Sequence, residues 1–425
     1  MQRTGSWFRR CFGGGVGAFA LPAAVLLAVV LGQRTSFGLF LSPMNTATAI
    51  GLGTLSLAVA AGQLATGLMQ PVCGVLAGRY GVARVTAIGA ALFALGNLAI
   101  VLAPSGAAFP VVVALAGVAG AAAGGAPMLM GAVGERVAPE RRGLALGIVS
   151  AGGSAGQLTI APLAQSAIAA AGWMNALLLM AALTLATMPL AAAFRARRPK
   201  GGPVPVSSPA GAGAAVRRAA LRDRRYWLVV AGFFACGFHV SFLTTHMPGV
   251  IDACGMPAAL AGAWLAIVGA CNIAGSIVSG MLTQTRSMPH MLMTLYTARA
   301  VGVLLFVLAP KTPEVMLLFA LWMGASYMAT LPPTAGLLVR LYGPGNLATL
   351  LGLAMLFHQV GSFLGVWLGG AAFDATGHYD WIWALDIALA LAAAAVHAPL
   401  RDAAPAPAAL AAAGPALPMR HLGWR

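Results

Sequence analysis

Two arginines, Arg34 and Arg299, fall inside long apolar runs. A charge in hydrocarbon costs at least a few kcal/mol, so an ionisable residue there marks a functional site by default. A guanidinium offers a planar fork of donors that matches a carboxylate. Arg34 lies about seven residues, or roughly 10 Å at helical rise, from the end of its run, and is the candidate ligand for an anion. The other reading is an arginine that snorkels to the lipid headgroups. Arg299 sits near the middle of its run and reads as a structural charge, paired with Asp386 in a later run or with backbone carbonyls. His239 and His246 are two helical turns apart and share one helix face. His239 has three readings: a hydrogen-bonding partner for a substrate, a group titrating near neutrality, or an interhelical hydrogen bond. The step His358-Gln359 has a similar polar character. In YMATLPPTAG, Pro332 and Pro333 remove backbone donors and force a kink. Carbonyls freed in this way are tolerated only where protein or a wet cavity satisfies them, so Tyr327, Thr330 and Thr334 face a plausible substrate path.

These residues must be carried by membrane helices. The chain has 425 residues, 60% hydrophobic and only 8% charged, whereas a soluble domain carries about 25% charged residues. A span needs about 20 apolar residues, and twelve segments qualify. The first six are 17–41, 53–76, 84–103, 110–133, 143–168 and 173–194. The last six are 226–248, 258–282, 289–309, 314–338, 346–370 and 380–400. All Lys and Arg except Arg34, Arg299 and Lys311, 22 of 25, can be placed on one side. Because cationic loops stay cytoplasmic, both termini are expected inside.

The segment 195–225 carries nine basic residues and one acid, Asp223, among Pro, Gly and Ser. Residues 199–213 read as a disordered linker. Residues 216–227 read either as a solvated loop that enforces topology or as a basic helix on the inner leaflet. The expected organisation is a six-helix bundle over 1–194, the linker 195–225, a second six-helix bundle over 226–400 and a cytoplasmic tail 401–425. The halves echo each other: Gly147, Gly156 and Gly172 recur as Gly352, Gly361 and Gly377 at an offset of 205, which suggests a duplication.

Several classes are excluded. The net charge of +16 is spread over short gaps between spans, which argues against a nucleic-acid surface. The five cysteines form no CxxC or metal spacing. GGSAG lies within an apolar helix rather than the strand-to-helix turn of a nucleophile elbow. No Walker loop is present. No enzymatic activity, metal or cofactor is expected.

The segment GVLAGRYGVARV resembles the loop between the second and third spans of major facilitator superfamily transporters, through Gly74, Leu76, Arg79, Gly81 and Arg84. The acidic position of that signature is Gly78 here. Gly74, Arg79, Gly81 and Arg84, with Pro332 and Pro333, are therefore expected to serve gating. RTSFGLFLSP, RRGLALGIVSAGGSAG and GGAAFDATGHYD resemble the monocarboxylate transporter and oxalate:formate antiporter branch. In that family a lysine occupies the position of Arg34, and an acid–arginine pair occupies the positions of Asn272 and Ser276, so the pair is missing here.

The resemblance implies an all-helical fold of twelve spans in two pseudo-symmetric bundles, with spans one, four, seven and ten lining a central cavity. It implies a monomeric secondary transporter working by alternating access. Two intramembrane cations against almost no intramembrane acid favour a small organic anion, probable partners being a monocarboxylate with a coupled proton or counter-anion. The expected substrate ligands are Arg34, His239, Tyr327, Thr330, Thr334, His358 and Gln359. Efflux of hydrophobic compounds and a non-transporting receptor on the same fold are the alternatives. Heavy use of Arg, Ala and Gly points to a bacterial inner membrane.

Overall fold

The computed structural model describes residues 16–102, 108–138, 141–195, 210–343 and 346–400. The arginines of the N-terminus, residues 196–209 of the linker and the tail 401–425 lie outside the described residues. Eleven described stretches are long and apolar enough to cross a bilayer. One of them, Leu144–Arg195, has 52 residues, roughly 78 Å of helix against about 30 Å of hydrocarbon. It turns at Gly172, where φ is 80° and ψ is 164°, so it makes two crossings and the total is twelve.

Span one is Val16–Thr35 continued by Gly38–Thr48. Span two is Leu52–Tyr80 and span three is Val82–Leu102. Span four is Ala108–Gly124 and Ala126–Arg136, and spans five and six are the two arms of Arg142–Ala186 with the tail Met188–Arg195. Spans seven, eight and nine are Arg224–Ala253, Ala259–Leu282 and Met288–Leu308. Span ten is Pro313–Tyr327, a 3-10 turn Met328–Thr330 and Leu331–Tyr342. Spans eleven and twelve are Leu347–Thr376 and Asp380–His397.

Repeated glycines occupy matching environments in the two halves, because each solves the same packing problem. A Cβ on Gly156 would strike the Ala28 backbone of span one, and a Cβ on Gly361 would strike the Phe234 backbone of span seven. Small residues of this kind let membrane helices approach closely where lipid supplies no hydrophobic drive. Gly172 and Gly377 both adopt positive φ at turns, while Gly147 and Gly352 both have nothing beside them.

The seam between the halves is built by span two on span eleven and span five on span eight. Its contacts run from mid-span to the end opposite the arginine-rich loops. There Ser42 donates to the Asp252 carboxylate, and Gly38 leaves room for the backbone of Thr244 and Thr245. The Asp374 carboxylate, on span eleven, accepts from Leu52 N at 3.1 Å and Gly53 N at 2.7 Å. It thereby caps the first turn of span two from the other half, where an anion meets unpaired N–H groups and the positive end of the helix dipole. Toward the basic end, Gly74, Gly78, Gly280 and Gly352 meet nothing within 4 Å. Ser42–Asp252 and the two bonds of Asp374 hold the halves together at the opposite end.

The linker carries a helix in place of a solvated loop, with bounds that differ from the alternative helix over 216–227. It spans Ala210–Arg222 and stops at Asp223, which caps span seven by accepting from Arg225 N at 2.9 Å. Val216 and Ala220 are buried in a cluster with Tyr226, Leu338 and Tyr342. The helix thus packs on the basic end of the second half rather than presenting its apolar face to lipid. Partial burial raises the Asp223 carboxyl, but hydrogen bonds from Arg225 and Tyr342 outweigh it and hold it below the usual carboxylate range.

Candidate functional site

Span one breaks just after Arg34. Thr35 Oγ1 donates back to Leu31 O at 2.9 Å, and the Phe37 N–H bonds the Arg34 carbonyl, so the turn tightens. Such local side-chain bonds compete with the regular ladder and bend helices. The bend sends the Arg34 side chain into the first half, alongside Gly120 of span four. Its guanidinium donates to Gln63 Oε1 of span two. Among the described residues Arg34 has no acidic partner. A guanidinium carries five N–H donors, so most of its capacity is free.

Arg34 lines a cavity of about 60 Å³ together with Gln33, Phe37, Gln63, Phe93 and Asn97. One water needs roughly 10–15 Å³ on this measure, so the cavity takes about four to six waters or one small organic acid. Its amide groups are pre-ordered: Gln33 Nε2 donates to Met180 O at 3.0 Å and Thr184 Oγ1 at 2.9 Å, and Asn97 Nδ2 donates to Gln33 Oε1 at 3.2 Å.

This geometry corrects the expectation that Arg34 faces a passage between the halves. Every residue lining its cavity belongs to spans one, two, three, four or six. Among the described residues that line the cavity, Gln63 carries a hydrogen bond to the second half. Gln359 Nε2 of span eleven donates to the Gln63 carbonyl at 2.9 Å, in the space left by the absent side chain of Gly67. Gln63 therefore touches Arg34 with its side chain and the opposite half with its backbone.

The remaining expected ligands lie in the second half and do not converge on Arg34. His358 lies 4.8 Å from the Phe233 ring and its Nδ1 is 3.2 Å from Gln359 Oε1. Tyr327 is buried and donates to the Val240 carbonyl. Thr330 and Thr334 are buried, with Thr334 Oγ1 on the Thr330 carbonyl at 2.7 Å and Thr330 Oγ1 3.4 Å from Cys236 Sγ. The polar groups of span ten are thus taken up by span seven and by span ten itself.

That break is held from two sides. Span eight supplies Asn272 Oδ1 to Met328 N at 2.8 Å and Ser279 Oγ to Ala329 O at 2.5 Å. Span nine supplies Arg299, fully buried, whose Nη2 donates to Ser326 O at 2.5 Å and Tyr327 O at 2.7 Å, and whose Nη1 meets Cys236 Sγ at 3.2 Å. Of the two partners expected for Arg299, the carbonyls hold it and Asp386 does not. Asp386 is bound to His239, Oδ2 to Nδ1 at 2.7 Å. The expected gating loop lies at the basic end: Gly81, at φ 92°, closes span two, Arg79 stacks on Tyr80 at 5.3 Å, and Arg84 is exposed.

Gln33, Gln63, Asn97 and Asp374 were not singled out in the sequence. The rule that finds an arginine in an apolar run also finds amides there, since a buried amide must be partnered.

Comparison with known proteins agrees with this architecture. The Major Facilitator Superfamily profile matches residues 23–311. The chain is 25% identical over 358 residues to the uncharacterised MFS-type transporter YcxA of Bacillus subtilis, covering 81% of this chain and 85% of that protein. It is 30% identical over 260 residues to monocarboxylate transporter 11 of Mus musculus (58% and 56% covered). It is 26% identical over 367 residues to monocarboxylate transporter 13 of Rattus norvegicus (84% and 82% covered). Among solved structures, a D-xylose–proton symporter superposes with a TM-score of 0.71 at 15% identity, covering 90% of this chain and 97% of that one. A bacterial homologue of the human lysosomal transporter Spinster, in an inward-facing and occupied conformation, gives 0.70 at 14% identity, with 89% and 95% covered. The chain belongs to the Major Facilitator Superfamily and is a multi-pass membrane transporter.

Proposed function

We propose that this transporter is a secondary carrier of small organic anions, monocarboxylates foremost, and that Arg34 binds the carboxylate. The observation that carries this reading is a guanidinium without an acidic partner among the described residues, lining a cavity sized for a small acid. The monocarboxylate transporters among its relatives support the substrate class. Gln63 occupies part of the Arg34 fork. An incoming carboxylate takes two parallel N–H donors and displaces the Gln63 amide. Because the Gln63 backbone also anchors Gln359, occupancy is felt at the seam. The halves, 1–194 and 226–400 joined by the linker 195–225, then rock about spans two, eleven, five and eight. The glycine loop Gly74–Arg84 and the Pro332-Pro333 break absorb the movement. The basic end faces the cytoplasm of a bacterial inner membrane, so the end held by Asp374 faces outward.

The test is uptake into proteoliposomes with a panel of radiolabelled carboxylates. Hydrogen bonds to charged groups contribute about 1.5–3 kcal/mol, so Arg34→Ala should weaken affinity for the preferred acid roughly 10- to 100-fold. Arg34→Lys, a point charge, should retain part of it. Unchanged affinity in both variants refutes the assignment.

A further inference from the structure

We infer that His239 and Asp386 form a reversible proton-binding site in the second half of the carrier. His239 is the sixteenth residue of the 30-residue span seven, and Asp386 is the seventh residue of the 18-residue span twelve. Both lie at depth, with 2% and 0% of their surfaces exposed. Their contact, Nδ1 to Oδ2 at 2.7 Å, requires one proton shared between the two atoms. The two remaining polar atoms, His239 Nε2 and Asp386 Oδ1, are buried and have no hydrogen-bond partner. Each orphan is a base with a free lone pair in a medium where buried polar groups are almost always partnered. Among the described residues neither member has a lysine or arginine partner, so the imidazole and carboxylate with their one shared proton carry a net charge of −1.

A second proton, taken from water, forms one new N–H or O–H bond at an orphaned atom and brings the pair to neutrality. A buried charge that can be neutralised tends to be. Other titratable groups on the packed elements bond elsewhere. Cys236 lies against Arg299 and Thr330. His246 Nε2 meets Val366 O at 2.8 Å, while its Nδ1 and the Tyr379 hydroxyl are buried without a partner; what sets His239 apart is the carboxylate bound to its other ring nitrogen. Tyr296 bonds the Gly232 carbonyl, Tyr327 the Val240 carbonyl, His358 faces Gln359, and His397 faces the Ala393 carbonyl. Arg299 is held by carbonyls. The pair adjoins the transport machinery directly, since the residue after His239 receives the Tyr327 hydroxyl at the break of span ten. Protonation on span seven therefore bears on a helix that already has an irregular turn.

The inference rests on the transporter fold and not on the anion. Infrared difference spectra of the full-length carrier in nanodiscs, titrated from pH 8.5 to 4.5 without substrate, test it. With aspartate labelled by 13C at the carboxyl carbon, the acidification spectrum of wild type minus that of Asp386→Asn should hold a label-dependent acid band, the other aspartates cancelling. His239→Gln should shift or abolish that band. Asp386→Glu carries no label and covers the case in which Asp386→Asn does not fold: the same label-dependent band should be missing there. Identical label-dependent changes in wild type and in either Asp386 variant overturn the site. The carboxylate reading stands or falls separately on the Arg34 variants.

Discussion

Asp374 offers the sharpest test of how the carrier is held closed at one end. Its carboxylate accepts from two backbone donors of the opposite half, Leu52 N and Gly53 N. Gly51, at the start of that helix, supplies no side-chain cap of its own. Opening this end breaks both bonds and takes the charge away from the helix N-terminus. Net of exchange with water, the bonds contribute about 0.5–1.5 kcal/mol each, and the dipole about 0.3–1 kcal/mol. The exposed position of Asp374 puts the sum toward its low end, about 1–2 kcal/mol, a factor of roughly 5–30. If the state open at this end is populated at about 1%, Asp374→Ala should raise it to roughly 5–23%. Nitroxide pairs at Ala47→Cys and Ala258→Cys, on a background without native cysteines, would report the change by electron–electron resonance. The expected result is a second, longer distance in Asp374→Ala that Asp374→Glu reduces and that Asp380→Asn does not produce. Identical distance distributions in wild type and Asp374→Ala would refute the reasoning.

Two further outcomes follow from the other half. Arg299→Met deprives the Ser326 and Tyr327 carbonyls of their buried donor; at about 1–3 kcal/mol per buried unsatisfied group the loss is about 2–6 kcal/mol. It should appear as a large fall in Tm in detergent, and a folded protein of unchanged Tm with selective loss of anion binding would contradict the structural role. Asp223→Ala removes the cap of span seven and its bond from Tyr342 at 3.0 Å, worth about 1 kcal/mol. Because the folded-state carboxyl is held low, its contribution is complete above the ordinary carboxylate value near 4 and fades as pH falls through the folded value. Wild type and variant should therefore differ in Tm at pH 7 and converge in acid.

The fold was legible because bilayer physics writes it in coarse letters. Apolar runs, sided arginines and glycines at a constant offset each follow from one constraint, and Gly156 and Gly361 meet the same kind of neighbour in the two halves. The site was legible only in part. That Arg34 and Arg299 matter follows from the cost of charge in hydrocarbon. Where each points does not follow, because a helix apolar on all faces carries no amphipathic stripe to fix its rotation. The bend at Thr35, which turns Arg34 into its own half, depends on local hydroxyl bonding. The partner of Arg299 was open for a similar reason. Charge arithmetic suggested Asp386, whereas the irregular turn in span ten exposed carbonyls that compete for the guanidinium. Asn272, where the related family carries an acid, instead accepts the Met328 N–H at that same turn.

These placements divide the labour between the halves. The first holds the cation, and its cavity needs no residue from the second. The second holds the carboxylate–imidazole pair and uses its own arginine to support a broken helix. If Arg34 binds the substrate as proposed, the carrier cannot sense it by closing both halves on it, as a centrally bound ligand would allow. The signal has to cross the seam through groups shared by the cavity and the interface. Among the described residues Gln63 fits that role most directly, with its side chain on Arg34 and its carbonyl on Gln359. Ligand energy can shift a two-state equilibrium only through contacts that differ between the states, and exchange of the Gln63 amide for a carboxylate at Arg34 is such a contact.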